Sequence, residues 1–160
     1  LPYFEEVIPV LEQIKNKFSN VSFCVIADVV KYYPELDTDV ILWDAKTEVD
    51  QLRKIDIGIM PLPDDEWTQG KCGFKGLQYL SLAKPAVLAS VGVNIDIITD
   101  GVNGYLFSTV KELFNRLSVL VVDEGLRQNI GNNGRITVEK RYSKQANREK
   151  YLAVFNSAIS

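Results

Sequence analysis

The sequence predicts an α/β domain with a doubly wound, Rossmann-like parallel sheet, followed by C-terminal helices. Three observations carry that expectation. Short apolar runs rich in β-branched residues alternate with amphipathic stretches of helical spacing, the pattern of a parallel sheet covered on both faces. The unit from Asp56 to Ser90 reads strand, polar loop, helix, strand. The last fifty or so residues carry only helical patterning. Right-handed crossovers between parallel strands then give the doubly wound form.

The elements follow in order. Pro2 suits a first helical turn, and Phe4, Val7, Ile8, Leu11 and Ile14 repeat at helical spacing, so a helix is expected over residues 2–18. Asn20 turns the chain into VSFCVIA, a buried strand over residues 21–27 with Cys24 as a small core residue. Residues 28–39, interrupted by Pro34, leave room for a short helix. VILW (40–43) is a short strand, with Trp43 expected in the core rather than beside a ligand. KTEVDQLRKI puts Val49, Leu52 and Ile55 on one helical face, with a cap near residues 45–47. Residues 56–60 form a strand that Pro61 and Pro63 end. DDEWTQG (64–70) is a polar loop, and its Asp64, Asp65 and Glu66 are more simply solvated than metal-binding. Residues 74–82 form a helix with Phe74, Leu77 and Leu80 toward the core, and residues 85–90 a strand. A short helix near 94–98, in which Asn94 and Asp96 act as caps first, precedes turn chemistry at Asp100-Gly101 and Asn103-Gly104. A strand at 105–107, a helix at 110–121, a helix capped by Asp123 to about Tyr142, and a last helix restarting at Ser143 complete the chain.

Length, 160 residues, fits one domain. A doubly wound domain normally begins with a strand, and this chain begins with a helix and no Met. It therefore reads as a cut from something longer, with its first strand upstream of Leu1. The net charge of −3 is spread along the chain and shows no clustered Lys and Arg, which excludes a nucleic-acid footprint. Two cysteines, Cys24 and Cys72, make no metal or disulfide pattern, and a reducing, cytoplasmic setting is the default. No histidine is present, so the usual general base and zinc ligand are missing from this chain. No apolar run approaches the ~20 residues that cross a bilayer. Neither a G-x-G-x-x-G after a strand nor a receiver-type aspartate constellation is found, which weakens a dehydrogenase or flavodoxin-like receiver reading.

The chemistry is concentrated in GKCGFKGLQYLSLAKPAVLAS, residues 70–90. A small-residue loop with two lysines opens a helix that carries Gln78. Ligands of open α/β sheets bind outside the carboxyl ends of the strands, where this loop falls.

The string DIGIMPLPDDEW…GKCGFKGLQYLSLAKPAVLASVGVNIDIITDGVNGYLF resembles the carboxyl-terminal domain of the group 1, GT-B-fold glycosyltransferases of family four, as do DEGLRQNIGNNGR and EKRYS. The resemblance implies the donor-binding half of a two-domain enzyme. Such an enzyme transfers a sugar with retention from a nucleotide-diphospho-sugar, without metal, to a glycan or lipid-linked acceptor held by the other domain. It also implies polysaccharide assembly and leaves peripheral membrane association of the full-length protein, at the inner membrane face, as an option. On this reading residues 1–160 are the nucleotide-sugar domain and are inactive in transfer alone. The family's paired glutamates align with Gly70 and Gln78, so both carboxylates are replaced. A non-catalytic binding or regulatory domain is the alternative.

Departure of a diphosphate develops negative charge that preorganised donors must meet. The candidates are the backbone N–H groups of Gly73 and Phe74 at the opening of the helix, with Gly73 permitting close approach. If the helix starts near Lys71, then Lys71, Lys75 and Gln78 share one face and suit a phosphate–ribose strip. Gln78 can both donate to and accept from a ribose diol. Against this stands the plainer reading of Lys71, Lys75 and Gln78 as solvated surface residues. The candidate donor-binding set is thus Gly70, Lys71, Gly73, Phe74, Lys75 and Gln78; no catalytic residue and no metal ligand are assigned.

Overall fold

The computed structural model describes residues 2–159, the side chain of residue 159 excepted. The centre of the fold is β5 (Ala86–Ala89), all four residues of which are buried. It pairs in parallel with β4 (Gly58–Met60) on one side and β6 (Tyr105–Phe107) on the other, with Gly58 opposite Ala86 and Val87 opposite Tyr105. Side chains of a strand alternate between faces. Val87 and Ala89 accordingly join one core, with Leu11, Ile14, Leu113 and Leu117; Ala86 and Leu88 join another, with Leu80, Ile97 and Ile98. Apolar residues therefore occupy both faces of the strand, which is why its sequence shows no alternation. Helices cover both faces, as the doubly wound expectation requires. Helices α2 (Ile8–Lys17) and α7 (Val110–Val122) pack together on the first face; α5 (Phe74–Ser81) and α8 (Glu124–Arg141) pack together on the second.

The sheet itself differs from the single parallel sheet expected. Among the described residues it consists of two three-stranded ladders, β4–β5–β6 and a second ordered β1 (Val25–Ala27), β3 (Thr38–Leu42), β2 (Tyr32–Tyr33). β1 runs parallel to β3, whereas β2 is antiparallel to it. The short helix allowed for residues 28–39 is instead this β2–β3 hairpin. Tyr32 and Tyr33 favour a strand, Pro34 follows in the turn, and Asp37 takes a left-handed conformation (φ 50°) that Asp tolerates. Tyr33 and Leu36 bury beneath the turn.

Other boundaries shift for local reasons. The leading helix divides into α1 (Pro2–Glu5) and α2, because Pro9 has no N–H for the Glu5 carbonyl and its ring crowds that position. β1 begins at Val25 rather than Val21, and β4 at Gly58 rather than Asp56. The supposed loop 64–70 contains α4 (Glu66–Gln69), held by a capping box. The Asp65 carboxylate accepts from the Thr68 N–H at 2.7 Å, and the Thr68 hydroxyl accepts from the Asp65 N–H at 3.2 Å. Asp64 accepts from the Gln69 amide, so two of the three acidic residues are used locally. Cys24 is exposed and not a core residue.

The C-terminal helices α7, α8 and α9 (Lys144–Ile159) follow the sequence closely, because each start carries its cap. Thr109 and Glu112 form a capping box, Asp123 accepts from the Leu126 N–H at 2.8 Å, and the Ser143 hydroxyl accepts from the Ala146 N–H at 3.0 Å. Helix α8 lies so close to the end of α5 that a Cβ on Gly131 would sit 2.0 Å from the Ala83 carbonyl oxygen. Asn103, buried in the preceding turn, accepts from the Thr99 N–H and donates to the Ile97 carbonyl and the Thr137 hydroxyl. That side chain ties the β6 turn to α8. No described helix is long and apolar enough to cross a membrane.

Candidate functional site

The carboxyl ends of β3, β4 and β5 open on one edge, and the chain there supplies four pieces. After β3 come Trp43 and the start of α3 (Glu48–Lys54). After β4 come Pro61 to Pro63, α4 and the loop 70–73 that opens α5. After β5 come residues 90–93 and α6 (Asn94–Ile97). Glycines lock the last two pieces together. Gly73 is the N-cap of α5 in a left-handed conformation (φ 66°), and a Cβ there would fall 2.6 Å from Ile97 Cδ1 and 3.2 Å from Asn94 Oδ1. Gly92 is also left-handed, and a Cβ on it would fall 2.8 Å from the Gln69 carbonyl oxygen. Only glycine combines that backbone with that proximity.

Gly73 offers no side chain to cap α5, so the first N–H groups of this helix carry no side-chain partner. They lie at the positive end of the helix dipole. Phe74, the first helical residue, is exposed rather than packed in the core. The reason is helical phase: Gly76 and Leu80 take the buried face, and a Cβ on Gly76 would meet Leu88 at 2.6 Å.

A polar cluster stands beside the opening of the helix. The Glu48 carboxylate accepts from the Lys75 ammonium, from Gln78 Nε2 at 3.0 Å and from Trp43 Nε1 at 3.0 Å. Its side chain is 13% exposed. The Lys75 contact lowers the Glu48 pKa most; burial opposes that, and the Trp43 and Gln78 hydrogen bonds lower it further. Trp43 therefore lies on the site edge, 47% exposed, and not in the core. An indole whose N–H faces a carboxylate is held at the surface by that bond. Beneath the cluster, burial pushes Tyr79 up to about 12, and its hydroxyl donates to the Ile59 carbonyl at 3.3 Å.

The structure brings some of the predicted residues together and separates others. Lys75 and Gln78 do share a face and converge on Glu48. Lys71 does not join them, because α5 begins at Phe74 and leaves Lys71 outside the helix. Its ammonium lies 4.8 Å from the centre of the Tyr3 ring, a cation–π contact with the start of the chain. Gly70 is the exposed C-cap of α4, and a Cβ on it would meet the Trp67 carbonyl oxygen at 3.5 Å and the Glu66 carbonyl oxygen at 3.9 Å. Asn94 and Asp96 do not cap α6. Val93 is the N-cap, Asn94 is buried and donates to the Ala89 carbonyl at 3.0 Å, and Asp96 is exposed. Gln78 Oε1 and Asn94 Oδ1 are buried and without a hydrogen-bond partner.

Glu48 is the residue that sequence reasoning missed. It stands 27 and 30 positions from its partners Lys75 and Gln78, and no local pattern links them. Its presence also gives a physical reason for the amide at Gln78: the Glu48 oxygen opposite needs a donor, which a second carboxylate at neutral pH lacks.

No protein-family model matches the chain. It is 29% identical over 89 residues to the capsular polysaccharide biosynthesis glycosyltransferase CapM of Staphylococcus aureus, a match that covers 54% of this chain and 23% of CapM. The chain thus spans about a quarter of that relative's length. Among solved structures it is similar to the C-terminal domain of the group 1 glycosyl transferase LpcC of Francisella tularensis. That likeness has a TM-score of 0.72 and 20% identity, over 88% of this chain and 79% of that one. It is also similar to a TarM variant of S. aureus in complex with Fondaparinux, alpha-GlcNAc-glycerol and UDP. Here the TM-score is 0.72 with 19% identity, over 96% of this chain and 32% of TarM. The chain shares the fold of the carboxyl-terminal domain of the GT-B, group 1 glycosyltransferases, as the sequence resemblance implied.

Proposed function

We propose that this chain is the donor-binding domain of a glycosyltransferase and holds a nucleotide-diphospho-sugar at the edge formed by β3, β4 and β5. One observation carries the reading: the start of α5, without a side-chain cap, lies at the carboxyl edge of a sheet whose fold is that of glycosyltransferase domains, one of them solved with UDP. The first-turn N–H groups and the positive helix end suit the diphosphate. Lys71 and Lys75 flank that start and supply cations once they leave Tyr3 and Glu48. Gln78 Oε1, buried without a partner, is the acceptor offered to a ribose hydroxyl. Glu48 stands beside it and contributes the carboxylate that the family's pattern has on the helix itself. The exposed Trp43 ring offers a stacking face to a base.

The full-length enzyme transfers a hexose from this donor, with retention and without metal, to a glycan or lipid-linked acceptor held by a second domain. The setting is cytoplasmic polysaccharide assembly, and the domain alone does not transfer. A second reading, a non-catalytic nucleotide-binding domain, is favoured by one fact, the absence of a carboxylate at both Gly70 and Gln78.

Calorimetric titration of the full-length protein with nucleoside diphosphates and their sugars tests the proposal. The paired change Lys71→Ala with Lys75→Ala is expected to weaken the best ligand by ~1–3 kcal/mol, the scale of charge-assisted hydrogen bonds. No binding by the parent, or equal binding by the variant, would overturn the site. A transfer assay on the same protein separates the two readings: binding with sugar transfer supports the enzyme, binding without it the silent domain.

A further inference from the structure

On the donor-binding reading just given, we infer that Glu48 is a filter against bare phosphates: it holds Lys75 and releases it in full only to a diphosphate that also carries a ribose diol. The carboxylate is itself an anion seated among donors. Glu48 Oε1 accepts from the Lys75 ammonium and from Trp43 Nε1 at 3.0 Å, and Oε2 accepts from Gln78 Nε2 at 3.0 Å. These donors differ in freedom. Gln78 sits inside α5, and the Trp43 ring is rigid. Lys75 ends a flexible four-carbon stem, is 46% exposed and starts from the first turn of α5, where the diphosphate is proposed to lie. Glu48 is fixed from its own side as well: it opens α3, and its N–H donates to the Asp44 carbonyl at 2.9 Å. When an anion draws Lys75 away, the carboxylate therefore stays, held by Trp43 and Gln78, with one lone pair of Oε1 free.

That lone pair decides which anions bind well. Inorganic phosphate or pyrophosphate takes the ammonium and returns no donor. Glu48, only 13% exposed, then faces a like charge with its cation gone. A nucleoside diphosphate brings two hydroxyl donors with the same anion. One fills the place of Lys75 on Glu48 Oε1. The other meets Gln78 Oε1, which is buried and has no partner within the chain. The two halves of the ligand thus exchange partners with the protein: Lys75 passes to the diphosphate as the ribose passes to the carboxylate. A purely structural cluster would satisfy its buried polar atoms, and this one leaves an acceptor open beside the carboxylate. Selectivity comes from a repulsion that acts on the wrong ligand alone.

Calorimetric titration of the full-length protein with inorganic pyrophosphate, and with UDP, GDP and ADP, tests the inference. Glu48→Gln removes the charge and keeps the shape and an acceptor oxygen. It is expected to strengthen pyrophosphate binding about tenfold and to weaken the best nucleoside diphosphate about threefold. A variant that merely disturbs the fold weakens both, so the opposite signs are the mark of the filter. The gain must also run through Lys75: on a Lys75→Met background, Glu48→Gln is expected to change pyrophosphate affinity by less than about threefold. Pyrophosphate binding that is unchanged or weakened by Glu48→Gln overturns the filter, as does a gain that is equal for both ligand classes or undiminished without Lys75. Each of those results leaves the donor-binding reading standing. Failure of the parent to bind any nucleoside diphosphate overturns that reading and the filter together.

Discussion

Changing Gln78→Glu restores the carboxylate that the family pattern has at this position and tests the Glu48 cluster directly. In the parent, Gln78 Nε2 donates to Glu48 Oε2 at 3.0 Å. The variant loses that hydrogen bond to a charged acceptor, about 1.5–3 kcal/mol. It also sets two carboxylates in contact; at an effective dielectric of about 20 and a separation of about 4 Å they repel by about 4 kcal/mol before relaxation. The pair can escape by holding one proton, which restores a donor. Protonating a carboxyl of ordinary pKa, about 4.3, costs about 3.7 kcal/mol at pH 7 and about 1 kcal/mol at pH 5, and this caps the penalty. Lys75 on the same carboxylate softens it further. The expected loss of stability is about 2–3 kcal/mol at pH 7 and under about 1 kcal/mol at pH 5. The sign follows from linkage: like charges raise the folded-state pKa of the pair, so stability present at low pH is lost as pH rises through that value. Urea unfolding at pH 5 and pH 7 measures it. Pairing Gln78→Glu with Glu48→Gln exchanges donor and acceptor and is expected to return stability to within about 1 kcal/mol of the parent. A Gln78→Glu variant as stable as the parent at both pH values would refute the cluster as described.

Two further changes probe the scaffold behind the site. Gly131→Ala would gain about 1 kcal/mol of helix propensity in open space, but here its Cβ meets the Ala83 carbonyl oxygen at 2.0 Å and carbon at 2.8 Å. Backbone cannot step aside as a side chain does, so a net loss of about 1–3 kcal/mol is expected in chemical denaturation; a gain would mean that α8 does not press on the end of α5. Asn103→Ala leaves the Thr99 N–H and the Ile97 carbonyl without partners. It should lower stability by about 1–3 kcal/mol, seen as a lower thermal midpoint, because the orphaned carbonyl of buried Ile97 costs its desolvation whereas exposed Thr99 can turn to water.

Much of the fold was legible because its signals are local. The caps Asp123 and Ser143 mark two helix starts in the sequence itself. β5 declares itself by being apolar on both faces, and the Asp100-Gly101 turn by its glycine, left-handed at φ 75°. The misplaced residues are those whose fate depends on distant partners. Trp43 has the composition of a core residue and is drawn outward by Glu48; Phe74 is turned out by helical phase that Leu88 imposes on Gly76. The β2–β3 hairpin hid behind Pro34, since a proline in a polar stretch is as compatible with a broken helix as with a turn.

By itself the sequence determined the alternation of elements, the glycine loop at residues 70–73 and the lysines around it, because hydrophobic period, turn chemistry and charge are properties of neighbours along the chain. The tertiary structure alone decided which polar groups meet. It set Lys75 and Gln78 on Glu48 and moved Lys71 to Tyr3. Side-chain pairing across about thirty residues follows from how helices and strands pack, and packing is set by the whole chain at once.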